Sequence, residues 1–429
     1  MRVRHRLLIR SGYLLAGIIL TLVITLLVMN LLPQEKQLSR PLQGIDAVHS
    51  TQFRHEVASV LGEAVHSGNQ VTDLQNGKHI FPAMLDAIDH AQYSINMEAY
   101  IFWSGHVMHK FVDALTSRAR AGVKVHVLAD WIGARNLDDK VVRQLRAGGV
   151  KFEYFHPLHW YDIDRLNNRT HRRLLIVDGK VAFTGGVGIA DSWGGEARSK
   201  GHWRDMQFRV TGPAAAQLQA VFEDNWITTT GHVLLGPHDY PLLKRRGDMD
   251  AQVFSSSPEG GSENMQLMYL MAIDGARQSI DLEAAYFVPD RLTIRALKRA
   301  IARGVKVRIV LPGKDDAGFV LGASKHSWGP MLKAGAQLYR YQPSKFHCKM
   351  MIVDHYLTIV GSANFDNRSF KLNDEVNLNV YNAGFARHMT QVVDQDIAHA
   401  RRYTLADWKA RPWHTKLYDR LAALTDPLL

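Results

Sequence analysis

One stretch of this chain occurs twice, and a chain that repeats itself is committed to two related folding units. Ala87–Tyr100 (AIDHAQYSINMEAY) matches Ala272–Ala285 (AIDGARQSIDLEAA). Arg120–Val125 (RAGVKV) then answers Ala302–Val307 (ARGVKV), and Leu145–Gly148 (LRAG) answers Leu332–Gly335 (LKAG). Each copy reads helix, strand, helix, strand, helix, strand, with the Ala-Gly and Arg-Gly steps acting as helix C-caps that lead into strands. This pattern predicts an α/β protein of two pseudo-symmetric lobes, each a largely parallel mixed sheet flanked by helices. A length of 429 residues is enough to build two substantial cores.

If the scaffold is doubled, a working site should be doubled too. The richest stretch is His347–Glu375 (HCKMMIVDHYLTIVGSANFDNRSFKLNDE), which sets His347, Lys349 and Asp354 in an H-x-K-x4-D array. The apolar runs Met350–Val353 and Leu357–Val360 flank Asp354-His355, which is a β-hairpin pattern. His347 and Lys349 are two apart and face the same side of a strand, and the returning strand brings Gly361 and Ser362 opposite, with Asn364 just beyond. An imidazole, an ammonium, a hydroxyl and an amide on one patch suit the holding and attack of a phosphate. The first half carries the counterpart: His171, Arg173 and Asp178 at the same spacing, a return through Val181–Thr184, then Gly185 and Gly186. Asp205 precedes an apolar strand as Glu375 does in the second half. Two such arrays at matching spacing point to one composite site.

The residue types divide the work. A nucleophilic imidazole must be neutral while its partner must carry a proton, so two histidines in unlike surroundings can share attack and leaving-group protonation. Each needs an acceptor for its second nitrogen, the role expected of Asp205 and Glu375. Lys349, Arg173, Ser362 and Asn364 are expected to neutralise phosphate oxygens as charge builds. Asp178 and Asp354 lie an odd number of residues from their histidines and beyond the strand, so each should tie the turn or pair with a basic group. Glu98 and Glu283 end matching strands, where a buried structural carboxylate is as good a reading as a catalytic one. His156, His159 and Trp160 read best as an ordinary polar loop, while His202-Trp203-Arg204 could border the substrate. Cys348, the single cysteine, should point away from His347 into the core, and it excludes an intrachain disulfide or a cysteine-based metal cluster. No cofactor or metal is expected.

These motifs resemble the phospholipase D superfamily over roughly residues 75 to 395. The N-terminal helix, the Asn168–Asp178 block (NRTHRRLLIVD) and the C-terminal stretch from Trp408 resemble bacterial cardiolipin synthases. The resemblance implies a bilobal fold with both motifs at one pocket, a phosphohistidine intermediate, His171 as nucleophile and His347 as acid and base. It further implies transfer of a phosphatidyl group from phosphatidylglycerol to a second phospholipid. Hydrolysis by a phospholipase D, phosphodiesterase or nuclease of the same superfamily is the alternative, and an inactive lipid-binding protein is a third. Two positions depart from the family pattern: Arg173 stands where lysine is usual, and Gly188 stands where the second half has Asn364.

Outside the repeat, Arg2, Arg4, Arg6 and Arg10 precede an apolar run from Tyr13 to Leu32. About 20 apolar residues suffice to cross a bilayer. The run ends without a small-residue cleavage site, so a retained anchor is expected rather than a cleaved signal. The positive flank leaves the N-terminus cytoplasmic and the catalytic part outside that membrane, the periplasm in a Gram-negative cell. The organisation expected is a basic segment (1–12), an anchor (13–32), a linker (33–69), lobe 1 (70–230), a linker (231–250), lobe 2 (251–400) and an amphipathic tail (401–429). The net charge of +11 favours anionic partners. Phospholipid substrates and a membrane are the expected partners, with nucleic acid and partner proteins not expected. Met350, Met351, Phe365 and Phe370 lean towards acyl chains. The stretch from Tyr403 to Leu424, mixing Trp408, Trp413 and Tyr418 with basic residues, reads either as an interfacial helix or as a segment packed on the core.

Overall fold

A computed structural model describes residues 2–31, 38, 40–157, 168–257, 264–313 and 318–424. Its centre is a 16-stranded sheet shared by both halves. From the junction outwards, the first half contributes His66–Gln75, Met206–Thr211, Val181–Gly185, Arg173–Val177, Ser94–Ala99, Lys124–Asp130 and Lys151–Phe155. The second half repeats that order with Met249–Ser256, Asn373–Tyr381, Leu357–Gly361, Lys349–Val353, Ser279–Ala284, Lys306–Pro312 and Gln337–Tyr341. Antiparallel pairing of His66–Gln75 with Met249–Ser256 joins them. One apolar cluster draws on both halves, Leu174, Ile176 and Phe208 with Met350, Ile352 and Phe385 among its members, so a single core crosses the junction.

The sheet corrects one expectation. Pairing is parallel only where a helix carries the chain over, Ser94–Ala99 to Lys124–Asp130 to Lys151–Phe155 and the equivalent three strands of the second half. Every other ladder on the path is antiparallel. The lobes are therefore mixed and mostly antiparallel rather than largely parallel, because each motif hairpin sits in mid-sheet.

Both hairpins turn through left-handed residues: Asp178 and Gly179 at φ 52° and 58°, Asp354 and His355 at 52° and 51°. Two consecutive positive φ values are those of the tight turn whose twist suits a hairpin. The aspartates hold the turns in place. Asp178 accepts the backbone N–H groups of Gln92, Tyr93 and Ser94, and Asp354 those of Arg277, Gln278 and Ser279 at 2.7–2.9 Å. Of the two roles open from the sequence, tying the turn is the one observed. Replacing Asp354 by alanine should cost about 2–4 kcal/mol of stability, since three donors lose a charged acceptor together. A lowered denaturant midpoint with undiminished turnover of the folded fraction is the expected result; a loss of turnover at unchanged midpoint would contradict it.

Segments read from sequence as linker are also built in. The helix Thr51–Leu61 packs Phe53, Val57 and Leu61 into the second lobe's core, and residues 66–69 already belong to the junction strand. In the 231–250 segment, His238 stacks on Tyr93 at 4.0 Å, against the hairpin end of the first lobe. The tail adds an edge strand, Ala400–Tyr403, to the sheet of the second lobe. The N-terminal helix runs from Arg2 to Leu31. Among the described residues no helix is long and apolar enough to cross a membrane. The side chains described for that first helix run only from residue 10 to residue 25.

Candidate active site

Two short strands put the histidines where they are. Arg169–Thr170 pairs with Asn373–Asp374 of the other half, and Lys345–Phe346 pairs with Trp203–Arg204. The crossing continues one residue further, as His171 N–H donates to the Asp374 carbonyl at 2.8 Å and His347 N–H to the Arg204 carbonyl at 2.7 Å. Each histidine is thus laid beside the carboxylate that follows in the opposite half. His171 Nδ1 lies 2.8 Å from Glu375 Oε1, and His347 Nδ1 lies 2.7 Å from Asp205 Oδ2. The halves exchange partners across the junction, and the four residues are each at most 8% exposed.

Electrostatics fixes the protonation pattern. Burial, with Arg173 adding and Glu375 opposing, lowers His171 to about 4. Burial, with Lys349 adding and Asp205 opposing, lowers His347 to about 3. Burial alone would raise Asp205 and Glu375, but the facing imidazoles and their hydrogen bonds outweigh it and hold both below the ordinary carboxylate value. The resting pairs are therefore neutral imidazole and carboxylate, each Nδ1–H donating, so that Nε2 is the nitrogen that carries the lone pair. Between the depressed values and the ordinary 6.5, the unfolded chain binds more protons than the folded one. The contribution of these histidines to stability is accordingly complete above pH 6.5 and lost as pH falls through about 4 and 3.

The cations differ between halves. Lys349 Nζ donates to the His347 carbonyl at 2.9 Å and lies 3.0 and 3.4 Å from the two ring nitrogens. Arg173 reaches further: one terminal nitrogen donates to the His171 carbonyl at 2.8 Å and the other lies 2.7 Å from His171 Nε2. The planar fork of arginine makes both contacts at once, where an ammonium offers a single point of charge. The guanidinium therefore covers the lone pair that a nucleophile would use, and it must move to any phosphate that arrives.

The carboxylates are braced differently too. Glu375 accepts from Ser362 Oγ, and from Ser369 Oγ at 2.7 Å. Ser362 was expected at a phosphate oxygen; its hydroxyl is instead spent on Glu375 and on the Val376 N–H. Asp205 accepts from Trp193 Nε1 at 2.8 Å and from the Met206 N–H at 2.9 Å. A Cβ at Gly186, the counterpart of Ser362, would come within 2.2 Å of Asp205 Oδ1, so a serine has no room there. A Cβ at Gly188 would meet Ile101 at 2.7 Å and the Trp193 ring at 3.1 Å. Ile101, with the indole behind it, takes the space an asparagine would need, which gives the Gly188 departure a physical cause. Gly185 ends the returning strand next to Gln207. Asn364 is 5% exposed, with its N–H donated to Ser369 Oγ and its side-chain oxygen without a hydrogen-bond partner among the described residues.

Three aromatic neighbours carried no motif signal or only a weak one. Tyr100 stands edge-on to His171 at 5.3 Å, while Trp193 and Trp203 flank His347 at 5.4 and 5.3 Å. Trp203 stands in a stretch whose sequence suggests a substrate border; Trp193 and Tyr100 stand in none. His156 lies in the loop as read, while His159 and Trp160 fall outside the described residues. Met350, Met351, Phe365 and Phe370 are all at most 2% exposed and belong to the core, so they offer nothing to an acyl chain.

The remaining candidates are structural. Glu98 accepts from Thr170 Oγ1 and from Asn225 at 2.7 Å, and burial raises it to about 7. Cys348 faces the core, its Sγ near Glu283 and Asp396. Those three could frame a metal, but the Arg204 guanidinium donates to both Asp396 oxygens at 2.9–3.1 Å and already supplies the positive charge. A cavity of about 670 Å³ between Ala214–Thr230 and Met249–Ser256 is lined by none of the paired histidines or carboxylates.

Two histidines, each on a buried carboxylate from the opposite half of a duplicated sheet and each attended by a cation two residues on, define a phosphoryl-transfer centre of the phospholipase D type. The family model described as "Cardiolipin synthase, PLD-like domain" matches residues 84–226 and 269–397, and the chain belongs to that family. It is 33% identical over 364 residues to the major cardiolipin synthase ClsA of Bacillus subtilis, covering 84% of this chain and 76% of that one. It is likewise 33% identical over 366 residues to cardiolipin synthase A of Pseudomonas putida, covering 85% and 76%. The fold is similar to the crystal structure of a phosphatidylserine synthase from Haemophilus influenzae, with a TM-score of 0.69, 13% identity and coverage of 88% and 100%.

Proposed function

We propose that this chain makes cardiolipin, transferring a phosphatidyl group from phosphatidylglycerol to a second phospholipid through a phosphohistidine. The crossed imidazole–carboxylate pairs carry the reading, because they supply a nucleophile and an acid in one buried site. The substrate anion offsets Arg173 and Lys349, draws the guanidinium off His171 Nε2 and favours a proton on His347. His171 Nε2 attacks phosphorus; the P–O bond to the departing glycerol breaks, and that oxygen takes the proton from His347 Nε2. The incoming alcohol then gives its proton back to His347 as its oxygen displaces His171 from phosphorus. Water in place of that alcohol would give phosphatidic acid. Membranes containing the chain and labelled phosphatidylglycerol should yield cardiolipin and glycerol. Phosphatidic acid would mark a hydrolase, and no product dependent on His171 and His347 would sink both readings.

Burial draws Lys349 down to about 7, with Asp205 opposing and Arg173 adding. The group neutralises phosphate only while protonated, so kcat/KM should decline above about pH 7. Lys349→Arg keeps its charge at every relevant pH and should carry the declining limb to higher pH. An alkaline limb unmoved by that replacement would assign it to another group.

The N-terminal helix is read as the membrane anchor. Tyr13, Leu14, Leu15, Ile18, Leu20, Leu22 and Val23 are exposed around it, a surface suited to lipid. With its arginine-rich start in the cytoplasm, the catalytic part would face the outer side of that membrane. Resistance to alkaline extraction, with the lobes open to protease added from outside, supports this reading, and release by alkali would refute it.

A further inference from the structure

We propose that the C-terminal helix Trp413–Ala422 is a docking element that lays the active-site end of the second lobe on an anionic lipid bilayer. The proposal rests on the phospholipid-transfer reading above and names the surface on which that chemistry takes place.

The helix is oriented backwards for an element that stays in water. Its inner face presents Asp419 and Ala422, 2% and 0% exposed, with Asp419 ion-paired to Arg411 and Ala422 packed on Val288 and Ala323. Its outer face presents Trp413, Leu417 and Leu421, followed one step beyond the helix by Leu424, and these are 76%, 49%, 55% and 74% exposed. At 100° per residue the four fall within about 80° of arc. The apolar stripe of this amphipathic helix thus looks away from the protein. Trp408, just before it, does the opposite: its indole N–H donates to the Lys325 carbonyl at 2.8 Å and its ring lies against Gly329. The two readings of the tail left open by its sequence therefore divide between its two parts.

Charge and position select the occupant. Lys416 and Arg420 border one edge of the stripe and are exposed, with Lys409 and His414 nearby, while Asp419 is turned inwards. A cationic border beside an apolar stripe fits anionic headgroups above an acyl boundary. The end of the helix lies on the motif side of the lobe. Ala422 shares a small apolar cluster with Ala323 and Val288, and Phe287–Val288 pairs with Phe365–Asp366, which directly follows Asn364. The hairpin turns, by contrast, mark the opposite end of the sheet, where Leu242 stands fully exposed. A bilayer under the stripe would bring headgroups to the mouth of the site.

The test uses the full chain reconstituted into vesicles of phosphatidylglycerol and phosphatidylcholine. A nitroxide attached at Leu417→Cys should be relaxed more by oxygen than by a water-soluble nickel chelate, while one attached at Leu242→Cys should show the reverse. Cys348 is fully buried, which keeps it from competing for the label. The double replacement Leu417→Ser, Leu421→Ser alters exposed side chains only. It should lower kcat/KM on vesicle-borne phosphatidylglycerol about tenfold and leave turnover of a water-dispersed short-chain phosphatidylglycerol unchanged. The proposal is overturned if the label at Leu417 is as water-accessible as that at Leu242. Equal kcat/KM on vesicles overturns it too, as does spin coupling between two copies at Leu417 without lipid contact. If neither form of phosphatidylglycerol is converted, the transfer reading fails, and the depth measurement still decides the docking.

Discussion

Alanine in place of His171 or of His347 will lower transfer by at least about 10³-fold, and removing both will cost little more than removing either one. The two imidazoles act as a unit. Without the nucleophile no covalent intermediate forms; without the acid the glycerol oxygen leaves as a poorly stabilised alkoxide. Their roles can be separated with a phosphatidyl ester of nitrophenol, whose leaving group needs no proton. The His347→Ala variant should still release one equivalent of nitrophenolate in a burst and retain labelled phosphatidyl on the protein, whereas His171→Ala should do neither. A burst confined to His171→Ala would reverse the assignment. The Arg173 contact to His171 Nε2 predicts a further feature of the wild type: the burst should be slower than binding, because the guanidinium leaves the lone pair before attack.

Glu375→Gln and Asp205→Asn should each reduce transfer by about 10²–10⁴-fold while leaving the fold intact. An amide occupies the same space but lets the imidazole settle in the other tautomer, with Nε2 protonated and unable to attack. The crossed pairing makes the outcome specific. Glu375→Gln, a change in the second half, should abolish the burst from His171 in the first half. Asp205→Asn, a change in the first half, should spare that burst and stop the steps that need His347. Imidazole nitrogen shifts measured by NMR would report the tautomer in each variant. If each carboxylate change instead silenced the histidine of its own half, the crossed arrangement would be wrong in solution.

How much of this was legible beforehand follows from the range of each interaction. The hairpins were readable because their causes are local: alternating apolar runs around Asp178-Gly179 and Asp354-His355. His171, His347, Asp205 and Glu375 stood out because the repeat showed them twice. Which carboxylate serves which histidine was not readable, since it depends on the pairing of Arg169–Thr170 with Asn373–Asp374 across some two hundred residues. The strand directions were misread for a related reason, because the repeated helix–strand units drew the pattern while the mid-sheet hairpins set most of the ladders. Trp193 left no trace in the motif, its role on Asp205 appearing only once the chain folds back. Ser362 and the four apolar residues near the motif were given to substrate when the fold needed them for Glu375 and for the core.

The exchange of partners between halves also bears on how such a chain could have arisen. A single-copy ancestor with one histidine and one carboxylate could have formed both pairs only as a symmetric dimer, each copy lending its carboxylate to the other. In that dimer any substitution would appear at both sites simultaneously. Joining the copies end to end lifts that restriction. Arg173 opposite Lys349, Gly186 with Trp193 opposite Ser362 with Ser369, and aspartate opposite glutamate are differences that a pair of identical copies cannot carry. One histidine can then be shaped for attack and the other for proton transfer, a specialisation closed to identical subunits.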